Sequence, residues 1–120
     1  MSMISQGEIW LVEFDPSVGS EIKKTRPAVV INDNNMGRLG LYLVIPVTEW
    51  KDFFKDYAWI IKVEPNSENG LKKTSAFECF QIKSFSKKRF VKKLGTIPSE
   101  NIFKIHQTVL KTLNLKYQLK

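Results

Sequence analysis

An arginine followed by a proline, Arg26-Pro27, opens the apolar run Ala28 to Ile31. Proline fixes its own φ and pushes the residue before it towards extended backbone. The Arg26 side chain is therefore aimed from a stiff strand entrance. Its guanidinium is always charged, and its planar fork fits a phosphate. Glu21, in the loop before it, could orient that fork or move protons. The same two residues also read as a structural Arg–Glu pair. Thr48 closes the stretch LYLVIPV (41–47). A hydroxyl at a strand end can reach a site on a sheet rim, although a lone threonine there is more often a turn residue.

The other reactive side chains offer less. His106 projects beside Ile102, Ile105 and Val109, and a packing role outweighs a catalytic one. It is the single histidine, so acid–base cleavage by two histidines is excluded. Neither HExxH nor paired Cys/His spacing occurs, and the acidic residues are scattered. No metal site or cofactor is expected. A Gly-rich phosphate loop and a nucleophile elbow are also missing. Cys79 stands near Phe77 and Phe80 and reads as an inert buried thiol. A lone cysteine fits a reducing cytoplasm.

Charge points to a polyanion. The net charge is +7, but residues 1–60 carry −2 and residues 61–120 carry +9. The segment KSFSKKRFVKK (83–93) holds six cations, among them Lys83, Lys87, Lys88 and Arg89, and no acid. Such a field attracts nucleic acid, although a solvated surface is the plainer explanation. Trp50, Phe53 and Phe54 could stack on unpaired bases, or pack in a core or a dimer interface.

These residues need a scaffold. A chain of 120 residues suits one domain, 1–120, and no apolar run approaches the roughly 20 residues that span a bilayer. No signal peptide is visible at the N-terminus. Strands are expected over 8–14, 27–32, 41–47, 57–63, 75–82 and near 90–97. Pro46 should end the third strand or put it at an edge. Residues 48–56 read as a short turn or helix. Ser99 can cap a C-terminal helix whose apolar face carries Ile102, Ile105, Val109, Leu110 and Leu113. The fold class is mainly β: a small, strongly curved antiparallel sheet or barrel with this helix packed on it.

The order GEIWLVEFDPSVGSEIKKTRPAVVIN, VIPVT, GLKKTSAFECFQI and LGTIPSENIFKIHQTVLKTL resembles the MazF/PemK toxins over roughly 7–113. The most specific part is G-[DE]-[IL]-W, then D-P-x-x-G-S-E, then R-P before an apolar strand. The resemblance implies an SH3-like antiparallel β-barrel of the CcdB/PemK type, acting as a homodimer in the cytoplasm. It implies a metal-independent endoribonuclease that cuts single-stranded RNA at short sequences and is blocked by an acidic antitoxin. Operator DNA can be met through the toxin–antitoxin complex. Arg26 and Thr48 match the family's catalytic arginine and threonine, and Glu21 matches the acid of its G-S-E element. Ser20 and Gln81 match further RNA-site positions. Phe80 replaces an acidic residue common in relatives, and Glu49 stands where many have Thr or Ser.

The implied chemistry uses the RNA's own 2′-hydroxyl, which attacks the adjacent phosphorus and expels the 5′-oxygen. Products are a 2′,3′-cyclic phosphate or 3′-phosphate and a 5′-hydroxyl. Two rivals share the fold: a non-enzymatic CcdB-like toxin that binds a protein such as DNA gyrase, and an inactive nucleic-acid-binding barrel.

Overall fold

The computed structural model describes residues 3–14 and 24–114. Among these residues, seven strands and one α-helix follow in the order β1 (Glu8–Glu13), β2 (Thr25–Val30), β3 (Leu41–Glu49), β4 (Ile60–Val63), β5 (Ser75–Glu78), β6 (Lys83–Ser86), β7 (Phe90–Thr96) and α1 (Ser99–Thr112). All pairings are antiparallel, and the path runs β4-β5-β3-β2-β1-β7 with β6 also on β3. The fold class is the expected one. Among the described residues, the two ends of the path share no ladder.

Ala28–Val30 of β2 and Val44–Val47 of β3 are buried on both faces, which explains the apolar runs there, while Leu41 and Leu43 of β3 stay exposed. On one face Val29, Ile45, Val47 and Phe77 pack with Ile102 and Ile105 of α1. On the other, Val12, Ala28, Val30 and Val44 meet Trp10, Tyr42 and Phe90, with Phe85 of β6 against them. The sheet therefore curls around its second cluster. The 3-10 turn Lys87–Arg89 seams that curl: Lys87 N donates to Gly40 O (3.0 Å), and Arg89 Nη1 donates to Glu13 O (3.0 Å).

The far side is closed by a loop. Asn69 is buried, and its Oδ1 accepts from Asn66 N (3.1 Å) and Leu71 N (3.0 Å) while its Nδ2 donates to Glu64 O (2.9 Å). Thr96 N of β7 donates to Glu68 O (2.8 Å). A Cβ on Gly95 would run into the Glu68 carbonyl, so only glycine lets β7 lie this close.

Several expectations need correction. β3 runs through Pro46 to Glu49. Along one edge of β3, pairing with β6 stops at Val44 and pairing with β5 begins at Val47, so the proline sits between two partners. A missing N–H is tolerated there. β6 was not expected, because KSFS offers only Phe85 as an apolar residue. The fourth strand starts at Ile60 and the fifth ends at Glu78, both shorter than expected. Before β4 lies the 3-10 turn Asp52–Asp56. The N-cap of α1 is Pro98 rather than Ser99, with no side-chain cap bond. Its buried residues are Ile102, Ile105 and Thr108, while Leu113 is exposed. His106 packs as expected: Nε2 donates to the Ile31 carbonyl (2.8 Å).

Candidate active site

Arg26 is the second residue of β2 and is exposed, while Pro27 behind it is half-buried. It pairs with Val12 of β1. The β2–β3 ladder ends at Ala28↔Pro46. Carried two residues further, the same register sets Arg26 against Thr48, and opposed residues share a face. Beyond Pro46, β3 keeps only its bonds to β5 on the other edge, which leaves a fork between the start of β2 and the end of β3. Thr48 pairs with Ala76, and Ala76 pairs with Lys62. Thr48, Ala76 and Lys62 thus form one row of paired residues, and the β2–β3 register, extended across the fork, puts Arg26 on the same face. The Thr48 Oγ1 is covered by protein and has no hydrogen-bond partner among the described residues. Such a group costs stability, and functional sites are where the cost is usually tolerated.

Other expected positions join this face. Gln81 Nε2 donates to Glu78 Oε1 (2.8 Å), and Glu78, two residues beyond Ala76, has the same facing. Lys83 pairs with Val44, whose facing matches that of Thr48. Arg89 reaches the end of β1 and lies 5.2 Å over the Phe85 ring. Lys87 and Lys88 are exposed on the seam, and the register gives them no place in the row. Glu21 and Ser20 lie outside the described residues. Lys62 and Glu78 were missed from the sequence. Strict alternation in IIKV and SAFE could have found them, since their apolar neighbours Ile61 and Phe77 take the opposite face.

A hollow of about 370 Å³ is lined by Leu11, Pro27, Val47, Leu71 and Leu94, and also by Thr48, Lys72 and Lys73. Arg26 does not line it. Its walls are mostly apolar, with the two lysines at its edge. Among the described residues, no group of three or more His, Cys, Asp or Glu side chains comes together. Cys79 is fully buried, and burial pushes its thiol up to about 12. It is no nucleophile at neutral pH.

The GEIW stretch at the start of β1 is held by a carboxylate network. Glu8 Oε1 accepts from Trp10 Nε1 (2.9 Å) and Ser5 N (2.9 Å), and Oε2 pairs with Lys93 Nζ (3.0 Å). Burial works against this carboxylate, yet the donors of Trp10, Ser5 and Lys93 outweigh it and hold its pKa below the ordinary value. The pair fixes β1 against β7.

Among the described residues, a curled antiparallel sheet with a C-terminal helix packed on one face defines a small mainly-β protein, with Arg26 exposed at the entrance of β2 and Thr48 near the end of β3. The chain belongs to the PemK-like, MazF-like toxins of type II toxin–antitoxin systems, whose family model matches residues 5–113. It is 28% identical over 120 residues to endoribonuclease MazF9 of Mycobacterium tuberculosis, covering 94% of this chain and 98% of that one. It is 30% identical over 99 residues to endoribonuclease PemK of Escherichia coli, covering 81% and 72%. The fold matches a crystal structure of MazF from Deinococcus radiodurans with a TM-score of 0.72 at 19% identity, over 96% of this chain and 100% of that one. A mycobacterial endoribonuclease in complex with its cognate antitoxin matches with a TM-score of 0.73 at 16% identity, over 96% and 99%.

Proposed function

We propose that this toxin is an endoribonuclease that cleaves single-stranded RNA without a metal ion and is held in check by an acidic antitoxin. The observation that carries the reading is the exposed Arg26 at the β2 entrance, on the face of a Thr48 hydroxyl with unspent hydrogen-bonding capacity. The names of the similar proteins, two endoribonucleases and a third in complex with its cognate antitoxin, support it. A homodimer, contact with operator DNA through the antitoxin complex, and action in the cytoplasm belong to the same reading.

The protein has to hold the 2′-oxygen, phosphorus and 5′-oxygen in line and stabilise charge on the phosphoryl oxygens. The 2′-oxygen loses its proton and bonds to phosphorus. The bond to the 5′-oxygen breaks, and that oxygen takes a proton. Arg26 neutralises the phosphoryl oxygens with its fork. Thr48 hydrogen-bonds the phosphate once its cover shifts, and Lys62 and Lys83 draw the neighbouring phosphates. Glu21 receives the proton or orients Arg26, and Ser20 and Gln81 contact the RNA beside the cut.

Incubating the purified chain with a long RNA in EDTA and sequencing the new 5′ ends tests this. Discrete 5′-hydroxyl ends at a recurring short sequence are expected. An intact RNA, or cutting that the chelator abolishes, overturns the reading.

A further inference from the structure

The connection from β3 to β4 carries an unusual surface. Six aromatic rings form one chain of contacts: Trp50 to Phe54 (5.8 Å), Phe54 to Phe53 (4.8 Å), Phe53 to Tyr57 (6.0 Å), Tyr57 to Trp59 (4.8 Å) and Trp59 to Phe80 (6.4 Å). Tyr57 and Trp59 are stacked, with their planes 7° apart. Core aromatics hide, but here Phe53 is 58% exposed, Phe80 64%, Trp59 39% and Tyr57 37%. Contiguous apolar patches of this kind mark contact sites.

Two features say what covers it. The first is position. Trp50 lies two residues beyond Thr48, continues the β3–β5 ladder through its N–H to Thr74 O (3.0 Å), and carries Lys62 Nζ 5.1 Å above its ring. Phe80 lies beside Gln81. The ring chain therefore starts next to Thr48 and ends next to Gln81, on the margin of the face proposed for RNA. The second is chemistry. The charged residues between the rings, Lys51, Asp52, Lys55 and Asp56, sum to zero, so the patch offers ring faces and not a charge field. The exposed aliphatic side chains Met36, Leu39, Leu41 and Leu43 lie elsewhere, around a separate hollow of about 180 Å³. Flat rings beside a phosphate-binding row suit unpaired bases, whose π-faces stack whatever their sequence.

We infer that the Phe53–Tyr57–Trp59–Phe80 surface is a stacking platform for the bases of single-stranded RNA flanking the cut. The inference rests on the reading of this chain as an RNA-cutting toxin and adds the surface that holds bases while cations hold phosphates. A ring that stacks on a base contributes to affinity without neutralising a phosphate. Its loss therefore lowers binding without changing the salt slope.

The test uses the full chain carrying Arg26→Ala, so that bound RNA stays intact, with fluorescein-labelled oligouridylate and abasic ribose-phosphate of equal length as probes. Adding Trp59→Ala or Phe80→Ala should weaken oligouridylate binding by about fivefold to about a hundredfold. Abasic binding and the salt slope should not change. Trp59→Phe should recover much of the loss, and Trp59→Leu, which keeps apolar area without a ring face, should not. Equal binding of both probes by every variant overturns the inference. So does a shift in oligomeric state or loss of antitoxin binding with RNA affinity unaltered, which would assign the platform to a protein. Base discrimination by a chain that, with Arg26 intact, cuts no RNA would sink the cleavage reading and keep the platform. Cleavage without discrimination would do the reverse.

Discussion

Arg26 and Thr48 make opposite demands on the fold. Arg26 is exposed, so Arg26→Ala should leave the melting temperature unchanged while cleavage falls by about a hundred- to a thousandfold. Arg26→Lys should restore only part, because an ammonium lacks the planar fork. Thr48 hides an oxygen that no described group bonds. Thr48→Val removes that oxygen at similar volume, and denaturant unfolding should find it as stable as the parent or up to about 1 kcal/mol more so. Its RNA cleavage should nevertheless drop. Glu8 holds Trp10 and Ser5 and ties β1 to β7 through Lys93. Its folded pKa lies below the ordinary 4.5. The stabilisation is therefore complete above the unfolded pKa and is lost as pH falls through the folded one. Acid unfolding followed by circular dichroism should show this limb, and Glu8→Gln should flatten it.

At the scale of elements, most strands were legible because β-branched runs and Gly/Asp/Pro punctuation are local signals. PAVVIN and LYLVIPV needed nothing else. β6 was not legible, since a Lys- and Ser-rich tetrapeptide becomes a strand only because β3 has a free edge over Leu41–Val44. Pro46 misled for the same reason: its tolerance depends on the change of partner along β3. The site was half legible. Arg26-Pro27 announces itself locally, whereas Lys62 and Glu78 join the face through registers that no single segment encodes. Nor does sequence spacing reveal that the EPNSENG loop closes the sheet. Asn69→Ala strips two acceptor contacts and one donor from that loop. A loss of about 1–3 kcal/mol in denaturant unfolding is expected. Gly95→Ala should cost at least as much, because the Glu68 carbonyl cannot retreat without releasing Thr96 N.

The whole molecule is a cation of net charge +7, yet two members of its basic segment are already committed, Arg89 to the Glu13 carbonyl and Lys93 to Glu8. The charge excess thus overstates the number of phosphates the chain can hold. For single strands each neutralised phosphate adds about 0.7 to the slope of log affinity against log salt. Titrations of the Arg26→Ala chain with oligouridylate from low to high salt should give a slope well short of six such contacts, and Lys62→Ala or Lys83→Ala should each lower it by about that unit. β3 lends its hydrogen bonds to β2, β5 and β6 together. Peeling β5 away would leave Thr48 dangling, and withdrawing β2 would take Arg26 with it. Both residues therefore depend on the same central strand keeping all three of its neighbours.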